Sequence, residues 1–267
     1  MTATFPVPAW LVGCGNMAGA MVDGWRAGGA DFTGVTVVRP SGTPVEGIRT
    51  ITDYPDERPR FVMLGFKPQK LAEVAPGLAP HVGPETVLVS MLAGVTAATL
   101  RELFPNAGAI VRIMPNLPVA QVQGVTAIYS ADDGFDEITA LIASLGMIAV
   151  CRREEELGVI GAVASAGMAY VARFIEALGK GGKALGLRPE QAEQIAIQTL
   201  VGTGAYAAET AASMTEIALR VASPKGTTEQ GLAVLDAPDG LQQLVDRTLA
   251  AAVRRGKELA EEAARRN

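Results

Sequence analysis

The run Trp10-Leu11-Val12-Gly13-Cys14-Gly15-Asn16-Met17-Ala18-Gly19-Ala20-Met21 constrains the fold more than any other part of the chain. A short apolar segment enters a glycine turn and leaves as an amphipathic segment of helical period, the opening of a strand–helix–strand unit. Gly13 and Gly15 suit a backbone that turns tightly and lets a ligand come close, and Ala18 keeps the helix start near the strand. Asn16 and Met17 then open a helix whose free N–H groups favour a pyrophosphate. An ordinary strand-to-helix turn has the same look, so the rest of the chain must decide.

The following elements repeat the theme. Residues 16–27 predict a helix ended by Gly28-Gly29, and residues 34–39 predict a second strand. An NAD site would carry an Asp or Glu about 20 residues past the glycine turn. Here that strand ends in Arg39-Pro40-Ser41-Gly42, without a carboxylate. A guanidinium and a hydroxyl at Arg39 and Ser41 suit a 2′-phosphate, so NADPH is the expected cofactor, with NADH weaker. The alternative for Arg39 is a solvated cation at a strand end.

Strands are expected at residues 60–66, 86–92 and 109–114, with a helix at 95–104, giving an α/β, doubly wound, mostly parallel sheet of Rossmann type. Lys67-Pro68-Gln69 lies just beyond the first of these strand runs, at the edge where such sheets bind ligands. Arg112-Ile113-Met114-Pro115-Asn116-Leu117-Pro118 leaves its strand through two prolines, a rigid loop suited to wall one side of a nicotinamide at Met114, Pro115 and Asn116. Residues 124–129 and 146–151 are expected to close the sheet around a helix at 133–145. His81, the only histidine, is expected at the surface in a proline-rich loop. No His/Cys/Asp/Glu cluster has metal-ligand spacing and no Ser/His/Asp set can be assembled, so no metal is expected.

From Glu154 onward strand signals vanish. Periodic, Ala-rich segments at 155–185, 189–211, 214–221, 228–235 and 241–266 predict an all-helical second half. The expected division is 1–152 for the dinucleotide and 153–267 for the helices. Residues 192–208 carry small and apolar side chains on most faces, which implies burial against more than one neighbour, and helix exchange in a homodimer is the expected solution. A formal net charge of −5 gives no positive field for nucleic acid. Residues 1–8 lack a basic stretch followed by an apolar run, and no stretch reaches roughly 18 uninterrupted apolar residues, so a cytoplasmic, membrane-free protein is expected.

One interruption among the helices has chemical content: Ser223-Pro224-Lys225-Gly226-Thr227-Thr228. A helix start with free N–H groups, hydroxyls at Thr227 and Thr228 and the ammonium of Lys225 forms a pocket for a small carboxylate. A capped interhelical turn is the alternative.

Together these pieces resemble the pyrroline-5-carboxylate reductase family across essentially the whole chain. The resemblance rests on Gly13-Cys14-Gly15-Asn16-Met17-Ala18, on Lys67-Pro68-Gln69, on Arg112 with Met114-Pro115-Asn116 and Pro118, and on Ser223-Pro224 with Gly226-Thr227-Thr228. It implies an NAD(P)H-dependent enzyme with a Rossmann domain, a helical dimerisation domain and dimers that often assemble into rings. It also implies that Gly226-Thr227-Thr228 holds the substrate carboxylate, with Thr228 near the imine nitrogen as the catalytic residue. The implied reaction is reduction of a carboxylated cyclic imine, 1-pyrroline-5-carboxylate, to L-proline. Five positions depart from the family pattern: Ala164 and Ala166 replace serines, Met168 a proline, Lys225 a glycine and Leu117 a threonine. They leave open a different cyclic imine. Two further readings are a β-hydroxyacid dehydrogenase relative, which would place a lysine within residues 158–178 where this chain has none, and a non-catalytic NADPH-binding regulator.

Overall fold

The computed structural model describes residues 3–264. In chain order the Rossmann half comprises β1 (Ala9–Val12), α1 (Asn16–Ala27), β2 (Val35–Val38), β3 (Arg49–Ile51), β4 (Phe61–Leu64), α2 (Leu71–Leu78), β5 (Val87–Ser90), α3 (Ala97–Leu103), β6 (Ala109–Pro115), β7 (Gly124–Ser130), α4 (Asp136–Ala143) and β8 (Gly146–Val150). The helices that follow are α5 (Glu156–Ile160), α6 (Gly167–Ala184), α7 (Pro189–Thr210), α8 (Met214–Val221), α9 (Thr227–Leu235) and α10 (Leu241–Ala264). The expected end of the last helix at Arg266 lies outside the described residues.

The strands form one sheet in the order β3-β2-β1-β4-β5-β6-β7-β8, parallel throughout except for the antiparallel pair β6–β7. Strands β1, β2 and β4 are buried along their full length, as a sheet covered on both faces requires. Alternation sorts their side chains: Leu11, Val37, Met63 and Val89 pack with Trp25 of α1 and Leu141 of α4. Trp10, Val12, Val62 and Leu64 pack on the other face with Leu71, Leu78 and Leu100. The chain order reverses direction between β1 and β4, and that switch point is where open α/β sheets bind ligands.

Two elements absent from the sequence expectations carry weak signals. β3 is a three-residue edge strand that is at most half-buried, and α2 contains Pro76. The helix expected at 155–185 is interrupted by a π turn at Gly161–Ser165 between α5 and α6. His81 corrects its surface expectation: the ring is half-buried, 5.4 Å from Trp10 and 5.3 Å from Tyr54 between centroids.

Contacts divide the chain into two compact units, one running to Ser165 and including the chain from Ala252 onward, the other Ala166–Ala251. Within the second, α6 and α7 pack closely at Gly179, where an added Cβ would stand 3.5 Å from the Glu193 Cα. Its helices keep large apolar side chains exposed, among them Phe174, Leu178, Ile195, Val201 and Leu219. The helical run Glu156–Ala184 is long and apolar enough to cross a membrane by length and composition alone, and 11% of its apolar window is buried. Arg173 and Lys180 interrupt it, both paired with Glu176 at 2.5 and 2.8 Å.

Candidate active site

Parallel pairing brings the C-terminal ends of β1, β2, β4 and β6 to one edge of the sheet, and most of the candidate residues stand there. Gly13 follows β1 with φ +79°, a conformation that favours glycine, and donates its N–H to the Val38 carbonyl at 2.8 Å. The Gly15 N–H reaches the Gly65 carbonyl at 3.3 Å, tying the turn to the end of β4. Gly65 was not among the expected residues, yet an added Cβ there would lie 2.8 Å from the Gly13 carbonyl oxygen and 2.9 Å from the Ala18 Cβ. A lone glycine ending an apolar strand run was the signal available for it. Gly15 offers no side-chain cap and no acidic residue occupies the first turn of α1, so the helix start at Asn16 and Met17 keeps its positive end uncompensated.

Arg39 and Ser41 come together beside this turn. The Arg39 Nε donates to Ser41 Oγ at 3.0 Å, and Thr43, a residue the sequence did not single out, donates its N–H and its hydroxyl to the same oxygen at 3.3 and 3.1 Å. Among the described residues no carboxylate pairs with Arg39, whose charge is thus free for an anion. Its field reaches the turn: burial pushes the Cys14 thiol up, and the Arg39 guanidinium opposes that shift. Lys67 and Pro68 follow Gly65, with Lys67 exposed and Pro68 opening a short 3-10 turn.

At the end of β6, Met114 is half-buried and Pro115 is buried. The Asn116 side chain, 7% exposed, spends both polar ends inside the protein. Its Oδ1 accepts the Val125 N–H at 2.8 Å and its Nδ2 donates to the Ala164 carbonyl at 3.2 Å. Ser165 Oγ donates to the Pro115 carbonyl at 3.1 Å, and Gly161 lies directly against the Met114 sulfur. One strand residue earlier in the alternation, Arg112 pairs with Glu154 at 2.7 Å, and Glu154 also accepts the Ala97 N–H at 2.7 Å at the start of α3.

The Ser223–Thr228 turn belongs to the second unit. Gly226 precedes α9 with no side-chain cap, and an added Cβ would collide with the Ser223 hydroxyl, so only glycine fits. Thr227 and Thr228 are the first two residues of α9, Thr227 exposed and Thr228 half-buried. Lys225 adopts φ +58°, a left-handed conformation that costs a side-chain-bearing residue energy and that the glycine of the resembled pattern would take freely. Its N–H donates to Glu229 Oε2 at 2.7 Å. Among the described residues no group of three His, Cys, Asp or Glu side chains could hold a metal, and both cysteines are free thiols.

An open, mostly parallel sheet with a glycine turn and an uncapped helix start at its switch point, followed by helices, defines a Rossmann-type dinucleotide-binding oxidoreductase. Comparison with known proteins narrows the class. Residues 154–259 match the family model described as pyrroline-5-carboxylate reductase dimerisation. The chain is 30% identical over 264 residues to the pyrroline-5-carboxylate reductase of Pseudomonas aeruginosa, covering 94% of this chain and 96% of that protein. Its structure is similar to that of a pyrroline-5-carboxylate reductase from Coxiella burnetii, with a TM-score of 0.87 at 29% identity over 96% of this chain and 99% of the other. The fold is shared by the Plasmodium falciparum pyrroline carboxylate reductase solved with NADP bound, with a TM-score of 0.80 at 21% identity over 95% and 98% of the two chains. The chain belongs to the pyrroline-5-carboxylate reductase family.

Proposed function

We propose that this chain reduces 1-pyrroline-5-carboxylate to L-proline with NADPH. Family membership over nearly the whole length carries the reaction. The residues at the sheet edge fit a dinucleotide: Gly13 and Gly65 leave no room for side chains where the backbones meet, and the α1 start offers uncompensated N–H groups to a pyrophosphate. Arg39, with Ser41 and Thr43 gathered around it and no carboxylate partner among the described residues, supports the phosphorylated cofactor over NADH. Lys67 and Pro68 would line the same edge, and the Met114-Pro115-Asn116 segment would wall the nicotinamide.

When bound, the dinucleotide would supply a hydride to the carbon of the protonated C=N bond, leaving a neutral ring amine that takes a further proton from solvent. A protonated C=N bond is already electrophilic, so the protein's work is placement rather than acid–base chemistry. In this reading Gly226 and Thr227 hold the substrate carboxylate with backbone N–H groups, Lys225 adds a cation, and Thr228 hydrogen-bonds the ring nitrogen. Functionally, residues 1–152 serve the cofactor and residues 153–267 the substrate and a partner copy. The exposed apolar faces of α6 and α7, together with the dimerisation match, favour a homodimer in the cytoplasm, with a second copy rather than lipid covering the run Glu156–Ala184. A second reading, reduction of another carboxylated cyclic imine, draws on the strained Lys225 in the carboxylate turn.

Thr228→Ala tests the assigned contact: catalytic efficiency is expected to fall by roughly one to two orders of magnitude, the loss of one oriented hydrogen bond at the reacting centre. Kinetics equal to those of the unaltered protein would remove Thr228 from the mechanism.

A further inference from the structure

We infer that Asn116 is a positioning residue for hydride transfer: its buried amide fixes the Met114-Pro115-Asn116 wall without touching the cofactor. The inference rests on the reading that this segment stands beside the nicotinamide. Both ends of the amide are committed in directions that leave one orientation, since Oδ1 faces the Val125 N–H on β7 and Nδ2 faces the Ala164 carbonyl in the π turn. The side chain thus bridges β7 and the π turn from the loop that joins β6 to β7. Two neighbouring contacts brace the same segment, the Ser165 hydroxyl on the Pro115 carbonyl and Gly161 against Met114. A π turn is an uncommon distortion, costing regular helical hydrogen bonds, and here its residues carry all three of these contacts to the wall. A wall built this way can hold a ring to within the fraction of an ångström that hydride transfer needs.

The chemistry of the bridge yields a test. Asn116→Asp keeps the acceptor for Val125 but sets a carboxylate oxygen against the Ala164 carbonyl oxygen, which repels it. Protonation of that aspartate restores a donor, and burial raises the pH at which it protonates. The ionisable side chains on the elements packed nearby are Arg112 on β6, Tyr129 on β7 and Cys151, Arg152, Arg153, Glu154, Glu155 and Glu156 between β8 and the start of α5. Arg112 and Glu154 neutralise each other, and neither the π turn nor the 3-10 turn Leu117–Gln121 carries an ionisable group.

The experiment compares kcat of Asn116→Asp and Asn116→Leu with that of the unaltered enzyme across pH, at saturating NADPH and pyrroline-5-carboxylate, alongside NADPH binding by fluorescence. The ratio to the unaltered enzyme cancels the titration of the substrate itself. For Asn116→Asp it is expected to be down by about ten- to hundredfold above neutrality and to recover as pH falls through the aspartate pKa, while Asn116→Leu stays low at every pH. NADPH affinity is expected to change less than threefold. Should either variant fail to fold, Ser165→Ala, which removes the neighbouring brace, is expected to lower kcat several-fold with NADPH affinity kept. A pH-independent ratio for Asn116→Asp, an unchanged kcat for Asn116→Leu or for Ser165→Ala, or a loss residing in NADPH affinity would each overturn the positioning role. Absence of turnover by the unaltered enzyme would instead overturn the reading of the reaction.

Discussion

Arg39 carries the cofactor choice at the scale of single residues. Its guanidinium is held by Ser41 and has no carboxylate partner among the described residues, and the strand end offers no acid to a ribose hydroxyl. Arg39→Ala is therefore expected to weaken NADPH binding by one to two orders of magnitude, roughly the worth of a charge-assisted contact, and to leave NADH within a factor of three. Titration with both cofactors checks this, and equal losses would remove the phosphate contact. Arg39 and Ser41 were legible because a strand end and an absent acid are local patterns. Thr43 and Gly65 were not, since Thr43 reaches Ser41 only through the curl of the loop and Gly65 matters only because β4 lies beside β1. Asn116 was legible as part of a loop but not in its role, because its partners lie 9 and 48 residues away in sequence.

The elements follow their patterns where burial is symmetrical and depart from them where tertiary contacts intervene. The apolar runs of β1, β4 and β5 and the period of α1 could be read directly, because a strand covered on both faces and a helix with one buried face leave distinct signatures. The antiparallel turn-back of β7 and the π turn could not, since both are set by what packs against them. Gly24 illustrates the point within α1. A glycine in a helix interior costs stability by itself, yet here an added Cβ would collide with the Val119 carbonyl and approach Leu145 Cδ2 to 2.8 Å. Gly24→Ala is thus expected to destabilise by about 3 kcal/mol despite its higher helix propensity, through forced separation of α1 from the 3-10 turn Leu117–Gln121. Chemical denaturation measures it, and a gain in stability would contradict the close packing.

For the molecule as a whole, the Rossmann half buries most of its apolar residues internally, with Leu117, Met147 and Val150 among the exceptions, whereas the helices of Ala166–Ala251 keep Met168, Phe174, Leu178, Ile195 and Val201 exposed. Exposed apolar surface on that scale favours a cover, and a second copy supplies it at no cost in specificity. Light scattering at micromolar concentration is expected to return at least twice the 27.7 kDa of one chain, and a stable single chain would contradict the proposed pairing. The Ala-rich character of the helices was plain in the sequence, but which of their faces meet a partner was not, because small residues on every side give no preferred stripe. The assigned reaction is tested most directly by incubating the protein with NADPH and racemic pyrroline-5-carboxylate while following NADPH oxidation and assaying the product. It predicts stoichiometric formation of proline. Tight NADPH binding with no oxidation on this imine would contradict it.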